Sequence, residues 1–170
     1  MQKNWYLILY ACLLLSFHAC GPSSQSECEQ GKPLAIFSPD LPGVIHHQFE
    51  QKGQNATEVL TFKDSLSLQL FQSGCHTVKQ EFRFQWPGNY QQQDAAYWTD
   101  QAATLFRRLA SLSEKQASFI LWAQAISAAK DQVKLGQATE LEPGTTLKLD
   151  KVLSPDQVTL IIEFVQRIGE

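Results

Sequence analysis

The sequence has no stripe of basic residues and little charge of either sign. Charged residues make up 18% of it, and 17 acidic against 14 basic residues give a formal net charge of -3. Surfaces that bind nucleic acids or anionic lipids concentrate lysine and arginine, and the His46-His47 pair does not make such a patch. We therefore expect no nucleic-acid partner.

Sequence motifs for cofactors are also missing. The chain contains no glycine-rich phosphate loop, no internal repeat, and no cysteine or carboxylate at a zinc-type spacing from its histidines. We therefore expect no cofactor and no metal. The sequence identifies no catalytic site by motif.

Long apolar runs are absent except at the start, where thirteen residues from Trp5 to Phe17 are interrupted only by Ser16. Lys3 precedes the run. About 7 to 15 apolar residues after a positive charge are typical of a secretion signal, whereas a membrane-spanning helix needs roughly 18 or more. We predict that residues 1–19 are a removable signal peptide.

The run ends in Phe17, His18, Ala19 and Cys20, which resembles the lipobox of bacterial lipoproteins. The resemblance implies that Cys20 is acylated, for example with palmitate, and becomes the mature N-terminus. It also implies export and a lipid anchor in the outer membrane, on its periplasmic face or at the cell surface. Phe17 and His18 differ from the usual residues, so cleavage after Ala19 by an ordinary signal peptidase is the alternative.

Cysteine parity bears on this choice. Cys12 leaves with the signal, and the exported chain keeps Cys20, Cys28 and Cys75. An odd thiol is a liability in an oxidising compartment, and acylation of Cys20 would remove it. Cys28 and Cys75 could then form a disulfide, which would stabilise the fold by roughly 4 kcal/mol. Two buried free thiols are the alternative.

Removal of the signal leaves about 150 residues, the usual size of one domain. The net charge becomes -4 because Lys3 is lost. Residues 20–32 are polar and lack apolar periodicity, so we predict a lipid-proximal tether there. Residues 33–170 then form a single domain.

The first half of this domain alternates apolar and polar residues with a period of two, broken by turn residues. We predict four antiparallel strands, at 45–51, 57–63, 66–71 and 75–86. The last is clearest, because Val78, Phe82 and Phe84 fall on one face while Lys79 and Glu81 fall on the other.

The period then changes to that of helices. Asp94 can cap a first helix whose apolar positions are Trp98, Ala102, Leu105, Leu109 and Leu112. Ser111 with Glu114, or Ser113 with Gln116, can begin a second helix that stops near Gly136. Its apolar positions are Phe119, Trp122, Ile126, Ala129 and Val133.

Two signals conflict in the tail. Ser154 and Pro155 resemble a helix start, but residues 158–165 are rich in β-branched and aromatic side chains. We favour a hairpin of strands 145–152 and 158–165. The predicted fold is α+β, with a mainly antiparallel sheet of a four-strand meander, two helices and a C-terminal hairpin.

Two sets of residues suggest a metal site or a catalytic nucleophile by residue type, but their spacing in the sequence argues against both. Neighbours on a strand point to opposite faces, so His46 and His47 do not chelate one metal together, and His76 stands alone. Cys75 next to His76 suggests a nucleophile, but adjacent side chains diverge at a strand start. We expect structural histidines, with His47 the one on the apolar-leaning face.

Aromatic residues cluster where the fourth strand meets the first helix. Trp86, Tyr90 and Tyr97 carry polar groups and surround a turn, which favours a partner-binding surface, and a hydrophobic lid is the alternative. Tyr90 is on the loop itself. Arg107, Arg108, Glu140 and Glu142 are typical of solvated faces, and the Asn55 sequon is of little use to a bacterial lipoprotein.

Taken together, export, tethering and the lack of catalytic motifs favour a non-enzymatic binding module that is anchored to a membrane and engages a protein partner. An inhibitor or immunity-like role would suit it. The alternatives are an envelope hydrolase that uses carboxylates such as Asp94 or Glu81, and a structural component of the envelope.

Overall fold

The computed structural model of the chain describes residues 32–75, 77–88, 90 and 93–167. The predicted signal peptide and the tether up to residue 31 lie outside this range. So do Cys20, Cys28 and His76, and the predictions made for them stay predictions.

Within these described ranges, seven antiparallel strands form one sheet. They are β1 (Val44–Lys52), β2 (Asn55–Phe62), β3 (Ser67–Ser73), β4 (Thr77–Pro87), β5 (Ala138–Glu142), β6 (Thr145–Leu153) and β7 (Gln157–Arg167). Their order across the sheet is β1-β2-β3-β4-β7-β6-β5, so β7 pairs with β4 in the middle and β1 and β5 lie at the edges. The fold is α+β with an antiparallel sheet, which confirms the predicted class.

Alternation of residue type explains why the tail is a strand. In β7, Val158, Leu160, Ile162 and Phe164 are buried, while the residues between them are half-buried. The Ser154 amide donates to the Gln157 carbonyl at 2.8 Å and closes the turn to β6. The favoured hairpin is therefore confirmed, because β-branched side chains fit a pleated surface better than a helix.

Two helices cover the buried face of the sheet. They are α1 (Ala95–Ala110) and α2 (Phe119–Ala128), joined by a 3-10 helix at Glu114–Gln116. The Asp94 carboxylate accepts the Tyr97 amide at 2.8 Å and caps α1, as predicted. The ring centroids of Phe82 in β4 and Phe106 in α1 lie 4.9 Å apart, so aromatic side chains form the centre of the core.

The second helix is shorter than predicted. It ends at Ala128, and Gly136 lies in the turn before β5 with a φ of +75°. Ala129 and Val133 are still buried, and the Val133 amide donates to the Ala129 carbonyl at 3.1 Å. Turns thus preserve the helical apolar spacing without continuing the helix.

β5 was not predicted. Its five residues contain two exposed glutamates, and only Thr139 and Leu141 give a period-two signal. A strand this short at a sheet edge is specified mainly by its partner β6, which the sequence of β5 does not reveal.

Candidate binding site

The predicted aromatic residues do come together at the start of α1. Trp86 Nε1 donates to the Tyr90 hydroxyl at 2.8 Å, and the Tyr97 ring lies 5.0 Å from that of the buried Trp98. All three predicted residues are half-buried and pack against the core. The hydroxyl of Tyr90 is therefore used inside the fold, and a role of this cluster in partner binding stays a prediction.

Cys75 lies in the loop between β3 and β4 and is half-buried. The preceding Gly74 has a φ of +130°, and a side chain there would meet the Thr77 carbonyl, so only glycine fits this bend. The proposed bridge to Cys28 remains a prediction.

A buried carboxylate occupies a position where an apolar residue would be usual. Glu58 in β2 is fully buried, and its Oε1 lies 2.7 Å from Nε2 of His47 in β1. The carboxylate also accepts the backbone amides of Ile36 at 2.9 Å and Phe37 at 3.0 Å. His47 is thus a structural histidine, whereas Glu58 was missed. Its one signal in the sequence is a charged residue in the inward row of β2.

Glu58 is one of three side chains that hold the segment entering the domain. Gln72 Nε2 donates to the Leu34 carbonyl at 3.2 Å, and Gln116 Nε2 donates to the Ile36 carbonyl at 2.9 Å. The Phe37 ring stacks on Phe119 at 5.7 Å. A groove of about 390 Å³ lies beside this segment and the β3–β4 loop. The domain is therefore fixed to its N-terminal segment by buried polar contacts.

Charged side chains form a network on the sheet face opposite the helices. Lys79 Nζ lies 2.5 Å from Glu163 and 3.3 Å from Glu81, and Arg83 Nε lies 2.6 Å from Glu81. Burial alone would raise the pKa of Glu81, but the hydrogen bonds from Arg83 and Lys79 outweigh it and lower that pKa. A carboxyl group with a lowered pKa is poorly suited to act as a general acid.

A second groove, of about 440 Å³, separates α2 from β5 and the start of β6. Trp122 lines it and packs on Phe164, with the ring centroids 4.1 Å apart. Leu121 beside it has 64% of its surface exposed, and Ile120 has 38%. The lining residues are Ser118, Leu121, Trp122, Ala125, Leu141, Glu142 and Thr145.

The groove exists because α2 is apolar on more than one side. Phe119, Ala123 and Ile126 face the core and are buried, while Ile120 and Leu121 point away from it. A helix that is apolar all round is expected to be buried on all sides, so the outer side of α2 lacks a covering layer within the described residues. Sequence reasoning missed the site, although the adjacent pair at 120 and 121 falls outside the helical apolar spacing and could have signalled it.

Within the described residues, no group of three or more histidine, cysteine, aspartate or glutamate side chains could hold a metal ion. None of the helices in that part of the chain is long and apolar enough to cross a membrane. Comparisons with protein-family models, with curated proteins and with solved structures found no match to the chain. Its fold and its grooves therefore carry the functional interpretation.

Proposed function

We propose that this protein is an exported lipoprotein that binds a partner protein and catalyses no reaction, as an inhibitor or immunity protein does. The observation that carries the binding role is the exposed apolar groove between α2 and β5. Apolar grooves that are rimmed by polar residues are typical of binding sites on protein surfaces. Trp122 and Leu121 are the bulky side chains that such a site needs at its centre.

Export and anchoring rest on residues 1–32. A predicted signal at 1–19, acylation of Cys20 and a polar tether place the domain at the outer membrane, on its periplasmic face or at the cell surface. The contacts of Glu58, Gln72 and Gln116 with residues 34–37 fix the point at which such a tether would join the domain.

The carboxylates suggested for a hydrolase have structural contacts. Asp94 caps α1, and Glu81 is paired with Arg83 and Lys79. Among the described residues, Glu142 is the one carboxylate that lines the groove beside α2, whereas glycoside hydrolysis usually requires a pair of carboxylates. These contacts favour binding over hydrolysis.

The binding role is tested by affinity purification of the membrane-released protein from its own organism. We expect one stoichiometric partner with the wild-type chain, and its loss with Leu121→Asp. Val152→Asp is the matched control, since Val152 is 54% exposed on the opposite sheet face. Absence of any partner, or equal loss with both variants, would contradict the proposal.

The anchor is tested separately by the mass of the processed N-terminus. We expect Cys20 as the first residue, with the added mass of acyl chains. An unmodified Cys20 would refute lipidation and leave the binding role in place.

A further inference from the structure

We propose that the partner presents an extended peptide segment, which adds to the sheet as a strand beside β5. This peptide places an apolar side chain in the groove between α2 and β5, and a lysine or arginine next to Glu142. This inference rests on the proposed binding function and specifies the chemistry of the ligand.

The free edge of β5 supplies the backbone half of this site. Among the residues that the structure describes, β5 is the last strand of the sheet and pairs only with β6. No other backbone group in the described part of the chain hydrogen bonds to Ala138–Glu142. An edge strand directs alternate N–H and C=O groups outward, and an extended peptide can satisfy them.

The groove supplies the side-chain half. Side chains of an added strand alternate between the two faces of the sheet, so every second one would lie on the helix-covered face. Leu141, Leu121 and Trp122 form an apolar wall there. The volume of about 440 Å³ falls within the range of about 300–1,000 Å³ that is typical of ligand pockets. β1 is also an edge strand, but this groove borders β5.

The charge of β5 favours one kind of ligand at this edge over others. Glu140 and Glu142 are exposed on β5, and Glu142 also lines the groove. These carboxylates attract a cationic side chain and repel an anionic lipid surface. A second copy that paired through its own β5 would bring two further glutamates to the same edge, and like charges on paired strands destabilise the pairing. A basic, apolar peptide therefore fits better than a second copy or a membrane.

The test uses the mature full-length chain labelled with nitrogen-15. The probe is a short blocked peptide in which a leucine and a lysine lie two residues apart with serine between them, so that both side chains lie on the same face of the added strand. We expect the peptide to shift the backbone amide resonances of Ala138–Glu142 and the indole resonance of Trp122. A peptide with glutamate in place of lysine should bind at least about tenfold more weakly, as should the lysine peptide to Glu142→Gln. Glu50→Gln on the opposite edge is the matched control and should leave affinity unchanged.

The same peptide N-methylated at alternate residues separates strand addition from simple groove binding. We expect N-methylation to abolish the shifts, because it removes the outward hydrogen bonds. Equal affinity of the methylated peptide, or no shift at Ala138–Glu142 with either peptide, would overturn strand addition. Binding of phosphatidylcholine vesicles that is lost with Leu121→Asp would assign the groove to lipid instead. If peptide binding fails while partner capture still depends on Leu121, the proposed function stands without this inference.

Discussion

His47 and Glu58 lie diagonally across β1 and β2, with the histidine Nε2 2.7 Å from the glutamate Oε1. Glu58 is fully buried, and its two oxygens accept hydrogen bonds from two backbone amides as well. A buried carboxylate is tolerated only when such donors surround it. This pair therefore ties β1, β2 and the N-terminal segment into one unit.

Replacement of Glu58 by alanine should destabilise the fold by about 3 kcal/mol. The change leaves two buried backbone N–H groups and the His47 ring without their acceptor. The free energy of unfolding in urea gives the measurement. Glu50→Ala in β1 is the control, and because Glu50 is exposed its effect should stay within about 0.5 kcal/mol. Similar values for the two variants would show that the buried contacts contribute little.

Tyr90→Phe should lower stability by about 1 kcal/mol, because it removes the hydrogen bond from Trp86 Nε1 and keeps the ring contacts. Tyr97→Phe is the control, since the Tyr97 hydroxyl makes no hydrogen bond with another described residue; its effect should be within about 0.5 kcal/mol. Thermal unfolding measures both. If Tyr90→Phe instead abolishes partner capture at unchanged stability, the aromatic cluster is the binding surface.

The charge network on the open sheet face should make stability depend on pH at both extremes. The pKa of Glu81 is lowered from an ordinary value of 4.5, so its contribution is present above that pH and is lost as the pH falls below it. The pKa of Lys79 is raised above its ordinary value of 10.5, chiefly by the hydrogen bond of Lys79 with Glu163. The contribution of Lys79 to stability is therefore present below pH 10.5 and is lost as the pH rises above it.

Unfolding midpoints of wild type and Glu81→Gln test this dependence. We expect the difference between the two to be largest near neutral pH and to shrink as the pH falls below about 4.5. The groups are partly exposed, so the difference should be below about 1 kcal/mol. If the difference between the two unfolding midpoints is constant from pH 7 to pH 3, the ion pairs of Glu81 do not contribute to stability.

Ser65→Gly should raise stability by roughly 1 kcal/mol. Ser65 has a φ of +67° in the turn between β2 and β3, a conformation that is unfavourable for a residue with a side chain. Gly53→Ala is the opposite test, because Gly53 has a φ of +61° in the preceding turn and alanine there should lower the melting temperature. A decrease with Ser65→Gly would indicate that the serine side chain makes a contribution larger than the strain.

The parts of the fold that follow from local patterns could be predicted from the sequence. Alternation in β4 identified the buried Phe82 and Phe84, and Asp94 marked the start of α1. The hairpin of β6 and β7 followed from β-branched residues at 158–165. In each case a single element carries enough information to specify its own conformation.

The features that depend on tertiary contacts could not be predicted. β5 is a strand because β6 pairs with it, and Glu58 is satisfied by amides from a segment about twenty residues away. The groove beside α2 requires the relative position of Leu121 and Leu141, which no sequence period encodes. Trp86, Tyr90 and Tyr97 were correctly placed together, but the hydrogen bond that occupies Tyr90 was not foreseen.

The central position of β7 has a consequence for the order of folding. β4 and β6 each pair with β7, yet β7 is synthesised after both. A chain that has emerged only as far as residue 153 has the β1–β4 meander and the β5–β6 hairpin, but not the strand that pairs with both. Closure of the sheet by a late strand requires contacts between residues far apart in the chain, which slows folding. Slow closure of the sheet would be compatible with the export that we propose, because a polypeptide is threaded through a secretion channel before it folds.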